Sequence, residues 1–438
     1  MAPTTGSAPL PRPAPPPANA ARARTSVAPR AAAWLLEHWA TVLYVVVGAA
    51  IVAWVGRVLF VRQLAMLASR SDYWEHVAAL HALIQSPLHP ANPHLATTDP
   101  SPRFTPGTVL LAVVARVADM DAFQAQALAG TINTALLVVG VYALYKTYFR
   151  DPIAPLYGLV AALASWVHGF SYSNVYQLSR LFEVAGYPST AAVGLTFVTL
   201  AVALRALRTP ASRGWLVWLG LAMLMVVVTH ALTATWAASG VVVFALLEPD
   251  VPWRRRWQLV AVVVVACLLA ELWPYFSTWH TIRTADDVDT SWLTLGTDAP
   301  IDDEPVRKTH SFYKLFPLVR TIGFAALGGY ALACFVFTGR HRSILGGALL
   351  MLAPFVLNTV IELPLGHRFI LLAIPYLQLG LVWLLLKATP GYREGWWRLM
   401  GGPWRRHLAL AGVLGLVGTM IAVNIADAYD ALDSPNGT

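Results

Sequence analysis

Residues 39–60 read WATVLYVVVGAAIVAWVGRVLF, an apolar run long enough to cross a bilayer as one helix. Similar Leu/Val/Ala-rich runs follow at 128–147, 153–170, 187–207, 213–229, 231–248, 257–274, 316–338, 343–363, 367–387 and 407–425. Lipid offers no partner for backbone N–H and C=O groups, so a spanning segment must satisfy them internally. The runs are continuous and do not alternate in the short segments of a membrane barrel, which leaves helices. The expected fold is an all-α polytopic membrane protein of about 11 transmembrane helices. Composition agrees: 57% of the 438 residues are hydrophobic and 12% charged, where a soluble domain carries roughly 25% charged residues.

The net charge of +8 asks for no nucleic-acid partner, because the basic residues are spread as short clusters between apolar runs. Arg12, Arg22, Arg24 and Arg30 precede the first run. Lys146, Arg150, Arg205, Arg208, Arg213, Arg254–Arg256, Arg340–Arg342 and the stretch Lys387–Arg406 share their side if the short apolar stretch Thr108–Ala118 does not cross. The positive-inside rule then sets the N-terminus in the cytoplasm and the C-terminus outside. Residues 108–118 become an interfacial or re-entrant helix. The setting expected is a bacterial plasma membrane and its cell envelope.

Residues 1–31, rich in Pro and Ala, read as a disordered cytoplasmic tail and not as a secretory signal. Residues 32–428 form the helical domain, with outward loops at 61–127 and 275–315, and 429–438 a short outward tail. The second loop is acidic (Asp286, Asp287, Asp289, Asp298, Asp302, Asp303, Glu304) and reads as solvated. Cys267 and Cys334 fall inside apolar runs and read as small buried hydrophobes.

The first outward loop opens with SDYWEHVAALH at 71–81. On a helix Asp72, Glu75 and His76 share a face. Val77, Leu80 and Ile84 form an apolar stripe suited to the membrane interface, and Tyr73 and Trp74 suit the headgroup level. A carboxylate at that depth can act as general base on a hydroxyl. Asp72 with Glu75 or His76 could instead ligate a divalent cation, or Asp72 could simply cap the helix, Glu75 completing a capping box. His81, His89 and His94 match no zinc spacing. Arg103, in PSPRFTP at 100–106, suits phosphate oxygens.

Later outward ends carry Arg180 and Glu183 (an expected ion pair), His230, Glu271, Glu362, and His367-Arg368, with Arg320 near the same face. Ionisable groups at membrane depth tend to line a cavity or path. Arg368 is on the side the positive-inside rule disfavours, where a fixed cation can meet a lipid phosphate. The residues Asp72 to His76, Phe104-Thr105-Pro106-Gly107, and His367-Arg368-Phe369 up to Pro375 together resemble the GT-C superfamily of polytopic glycosyltransferases. The Thr229-His230 turn adds to this likeness.

That resemblance implies inverting sugar transfer from a polyprenyl-phosphate donor to an acceptor at the outer face. Asp72 would be the base, with Glu75 the nearest second carboxylate. Arg103, His367, Arg368 and Arg320 would meet the donor phosphate, and His76, His230 and Glu362 would line the cavity. A divalent cation (Mg or Mn) held near Asp72 belongs to the same expectation. The sequence departs from the family in lacking an adjacent acidic pair. A transporter or flippase of a lipid-linked or polar solute, and an accessory membrane subunit, are the alternatives.

Overall fold

The computed structural model describes residues 27–62, 71–93, 101–166, 176–283, 323–358, 361, 368–389 and 403–433. All regular structure among them is helical. In chain order the helices are α1 (Val27–Val61), α2 (Ser71–Gln85), α3 (Pro106–Val117), α4 (Ala122–Phe149), α5 (Ala154–Ala164), α6 (Leu181–Ala185), α7 (Pro188–Arg208), α8 (Gly214–Thr229) and α9 (Ala231–Leu247). They continue with α10 (Trp253–Ala270), α11 (Thr278–Arg283), α12 (Leu327–Thr338), α13 (Arg342–Leu357), α14 (Phe369–Ala388) and α15 (Pro403–Asp433).

Local chemistry explains several starts and stops. Thr105 caps α3, its hydroxyl accepting Thr108 N–H at 3.3 Å, with Pro106 at a position where its missing N–H costs nothing. Asp121 and Gln124 make a reciprocal capping box at α4. Arg150 ends α4 in the left-handed region, at φ 57°.

Four helices among the described residues are long and apolar enough to span a membrane: Glu37–Val61, Ala122–Phe149, Pro188–Arg208 and Phe369–Ala388. A fifth span arises if Gly323–Thr338 and Arg342–Leu357, bent by 119° at their junction, are one broken crossing. Other apolar runs, such as those of Ala154–Ala164 and Gly214–Thr229, form helices shorter than the bilayer demands of a straight rod. Thr108–Ala118 does form a short helix, α3. The helix α1 begins at Val27, within the stretch expected as tail; residues 1–26 lie outside the described part.

The core is a bundle centred on α4 and α7, with α1, α8, α9, α5 and α14 around them. At the α4–α7 crossing Gly194 has no room for a side chain: a Cβ there would lie 2.8 Å from the backbone of Leu136 and Leu137. Small residues permit this close approach, by which membrane helices gain packing.

Long-range hydrogen bonds fix which ends meet. Tyr157 at the start of α5 meets Thr389 after α14 at 2.7 Å, and Phe324 N–H donates to Ser165 O at 2.9 Å beyond the end of α5. The basic groups Lys146, Arg205, Arg208, Arg255, Arg340 and Lys387 consequently gather at one end. There Arg208 pairs with Glu248 at 2.8 Å and Arg255 caps Ala206 O at 2.8 Å. The other end carries α2, α3 and the turn between α8 and α9.

Two expectations change here. Val77 and Leu80 are buried in the protein core and do not face the membrane interface; α2 packs on α3 and α4, which offer it a protein surface. Cys267 is exposed on α10 and so is not a buried hydrophobe; among apolar residues the sequence cannot distinguish lipid from protein contact.

Candidate functional site

Arg103 is the centre of the loop end. Its backbone N–H donates to Ser101 Oγ at 3.3 Å, and its guanidinium reaches across to α2. There Nη2 donates to Glu75 Oε2, and Nη1 lies 3.3 Å from His76 Nε2. Glu75 therefore faces Arg103 and does not complete a cap on its own helix. The ring of His76 is buried against Tyr187, with centroids 4.8 Å apart.

Two supports hold this cluster. The segment before α7 is fixed by polar side chains of α4: Asn133 Nδ2 donates to Ala185 O (2.9 Å) and Tyr187 O (3.2 Å), and Gln126 Nε2 to Gly186 O (3.0 Å). Behind Arg103, Trp273 Nε1 donates to Phe104 O at 2.9 Å and Tyr275 OH to Pro87 O at 2.6 Å. Sequence reasoning singled out neither support. Asn133 and Gln126 within an apolar run were the available signal, because buried amides need partners.

His230 forms the turn from α8 to α9, outside both helices. Its N–H donates to Val226 O, and its Nδ1 caps α9, 3.3 Å from Thr233 N and 2.8 Å from Thr233 Oγ1. Burial, then the charges of Arg103 and Arg368, push its pKa down to about 4. Arg103 and Arg368 thus each lie within electrostatic reach of His230. Arg368 immediately precedes α14, and one turn on, Leu371 and Leu372 line a small apolar cavity, with Trp166, Trp236, Pro375 and Gln378.

Asp72 is the second residue of α2; its side chain lies outside the described part, as do Arg320, Glu362 and His367. The expected Arg180–Glu183 pair forms at 3.7 Å, and Arg180 also approaches Asp427 at 3.9 Å. Glu271 accepts Ser277 Oγ (2.6 Å) and Trp279 N–H (2.9 Å), which makes it a local cap. His81 bonds Gln85 at 2.8 Å. For the expected divalent cation, no three His, Cys, Asp or Glu side chains gather among the described residues. Glu75 and His76 are turned to Arg103, and Asp72, about which the cation was expected, has its side chain outside the described part.

No protein-family model matches the chain, and no curated protein matches it in sequence. The fold is similar to that of a solved membrane oligosaccharyltransferase. That structure is the apo form of the Archaeoglobus fulgidus oligosaccharyltransferase, similar with a TM-score of 0.53 over 92% of this chain at 12% identity. This chain covers 59% of that one, and the likeness is one of fold.

Proposed function

We propose that this chain is a GT-C glycosyltransferase that moves a sugar from a polyprenyl-phosphate donor to an acceptor at the non-cytoplasmic face. The observation that carries the reading is that Arg103 and Arg368 both act on His230, at the end that holds Asp72 near the start of α2. A polyprenyl chain stays in the bilayer, so its phosphate stays at the interface. Arg368 just before α14 and apolar Leu371 and Leu372 one turn on suit a phosphate and the isoprene units that follow it. The basic end opposite would be the cytoplasmic one.

In the proposed step the acceptor oxygen attacks the anomeric carbon and its proton passes to the Asp72 carboxylate. The bond from that carbon to the phosphate oxygen breaks, with inversion, and its electron pair leaves with the polyprenyl phosphate. Arg103 and Arg368 offset charge as it grows on the leaving group. Arg103 is held by Glu75, so a bound phosphate would share or replace that carboxylate.

A transporter reading draws on the 119° bend between α12 and α13. Arg340 and Arg342 flank that bend, which puts it at a membrane surface, whereas transporter breaks lie near the midplane. The deciding experiment is Asp72→Asn in purified, folded protein supplied with polyprenyl-phosphate sugars. Transfer by the wild type and none by the variant is expected; undiminished transfer by the variant refutes Asp72 as base.

A further inference from the structure

His230 is both the end of α8 and the start of α9, with an extended backbone at φ −160° and ψ 108°. Its Nδ1 takes up the N–H of Thr233 at 3.3 Å. A ring nitrogen that accepts an N–H carries no proton, so in a neutral imidazole the proton sits on Nε2. The Thr233 hydroxyl, 2.8 Å from the same nitrogen, must then donate as well. Both bonds of the cap therefore select one tautomer. Among the described residues no group takes up Nε2, and the ring is only partly buried.

The charged groups acting on this ring are Arg103, from the first loop, and Arg368, at the start of α14; Glu75 and His76 engage Arg103 in turn. A proton on Nδ1 would break the α9 cap and add a third cation to two. Burial and the two arginines oppose it, and the ring stays neutral well below neutral pH.

We propose that His230 is a neutral hydrogen-bond donor of this site, presenting Nε2–H to a phosphate oxygen held between Arg103 and Arg368. The proposal rests on the phosphate-site reading above. Its chemical sense is geometric: two guanidinium groups supply charge, and an uncharged donor adds a directed bond without further repulsion. It also explains why His, and not one of the usual Ser, Thr, Asn or Asp caps, occupies the turn.

The amide of Asn reproduces the Nδ1 acceptor and so keeps the cap; the longer Gln places an N–H near Nε2 and forfeits the cap. Full-length wild type, His230→Asn, His230→Gln, Arg103→Ala and Arg368→Ala are titrated with farnesyl phosphate in detergent. Ring ¹⁵N shifts of His230 are read at neutral pH. We expect the neutral Nε2–H tautomer. His230→Asn should bind about ten- to hundredfold more weakly, at an unchanged unfolding temperature, as for a lost bond to a charged group. His230→Gln should bind nearly as the wild type but unfold earlier. An imidazolium or Nδ1–H signal overturns the proposal. So does wild-type binding by His230→Asn when Arg368→Ala has lost it, which leaves the phosphate site standing. If Arg103→Ala and Arg368→Ala both bind as the wild type, the phosphate site itself falls and the donor role falls with it.

Discussion

The carboxylate of Asp427 accepts the hydroxyl of Ser179 at 2.6 Å, joining segments 248 residues apart in sequence. It also accepts Gln177 Nε2 at 2.9 Å and lies 3.9 Å from Arg180 Nε. One turn earlier Asn424 donates to Ala164 O at 3.1 Å. Near its far end, α15 is thereby pinned to the segment that leads, through Glu183, to Tyr187 and the His76 ring.

Asp427→Ala should therefore destabilise the protein by about 1–3 kcal/mol, since it strands several partly buried donors at once. Thermal unfolding in detergent measures this, and Asp427→Asn should recover part of the loss. An unfolding temperature unaffected by Asp427→Ala means that the pin contributes nothing.

Glycines on two helices should respond oppositely to a single methyl group. Gly194→Ala drives a Cβ into the backbone of α4, at an expected cost of about 1–3 kcal/mol. Gly412→Ala on α15 meets nothing within 4 Å and should be neutral or gain up to about 1 kcal/mol from helix propensity. Equal effects in an unfolding assay would contradict the α4–α7 crossing.

Arg103 and Glu75 should act on phosphate binding with opposite sign. Arg103→Ala removes a charged donor, weakening farnesyl phosphate binding about tenfold or more. Glu75→Gln releases the guanidinium from its carboxylate and should tighten binding severalfold. Weaker binding by Glu75→Gln would assign that carboxylate to ligand contact instead.

Acid should destabilise the opposite end of the bundle. His341, in the turn between α12 and α13, is packed against Phe335 at 4.9 Å between ring centroids and Tyr148 at 5.8 Å. Burial, then Lys387 and Arg340, push its pKa from 6.5 down to about 4. The unfolded chain thus binds a proton that the folded one refuses. This group's stability contribution is full above pH 6.5 and is lost as pH falls toward about 4. His341→Asn, which tolerates the left-handed backbone at φ 48°, should flatten the fall in unfolding temperature over that window. A slope identical to the wild type would show that other groups set it.

The apolar run at 39–60 became the span Glu37–Val61, and that at 187–207 became Pro188–Arg208. Both were legible because lipid compels each segment to satisfy its own backbone, so a local count of apolar residues suffices. The collection of Lys146, Arg208 and Arg340 at one end was legible for a related reason: charge cannot rest in hydrocarbon. Arg368 was visible as a misplaced cation by the same logic, and Arg103 by the match of a guanidinium to phosphate oxygens.

The number of straight crossings was less legible. An apolar run such as 153–170 reads the same whether its helix extends throughout or, as in α5, is assigned over only 11 residues. The seat of His76 on Tyr187, the tie of Trp273 to Phe104 O and the pin of Asp427 on Ser179 had no signature at all. By itself the sequence determined that the chain folds as membrane helices and which end is basic, because those follow from each segment's own contact with lipid and water. Only the tertiary structure decided which polar side chains meet, because such contacts join residues far apart in sequence and depend on how packed helices present them.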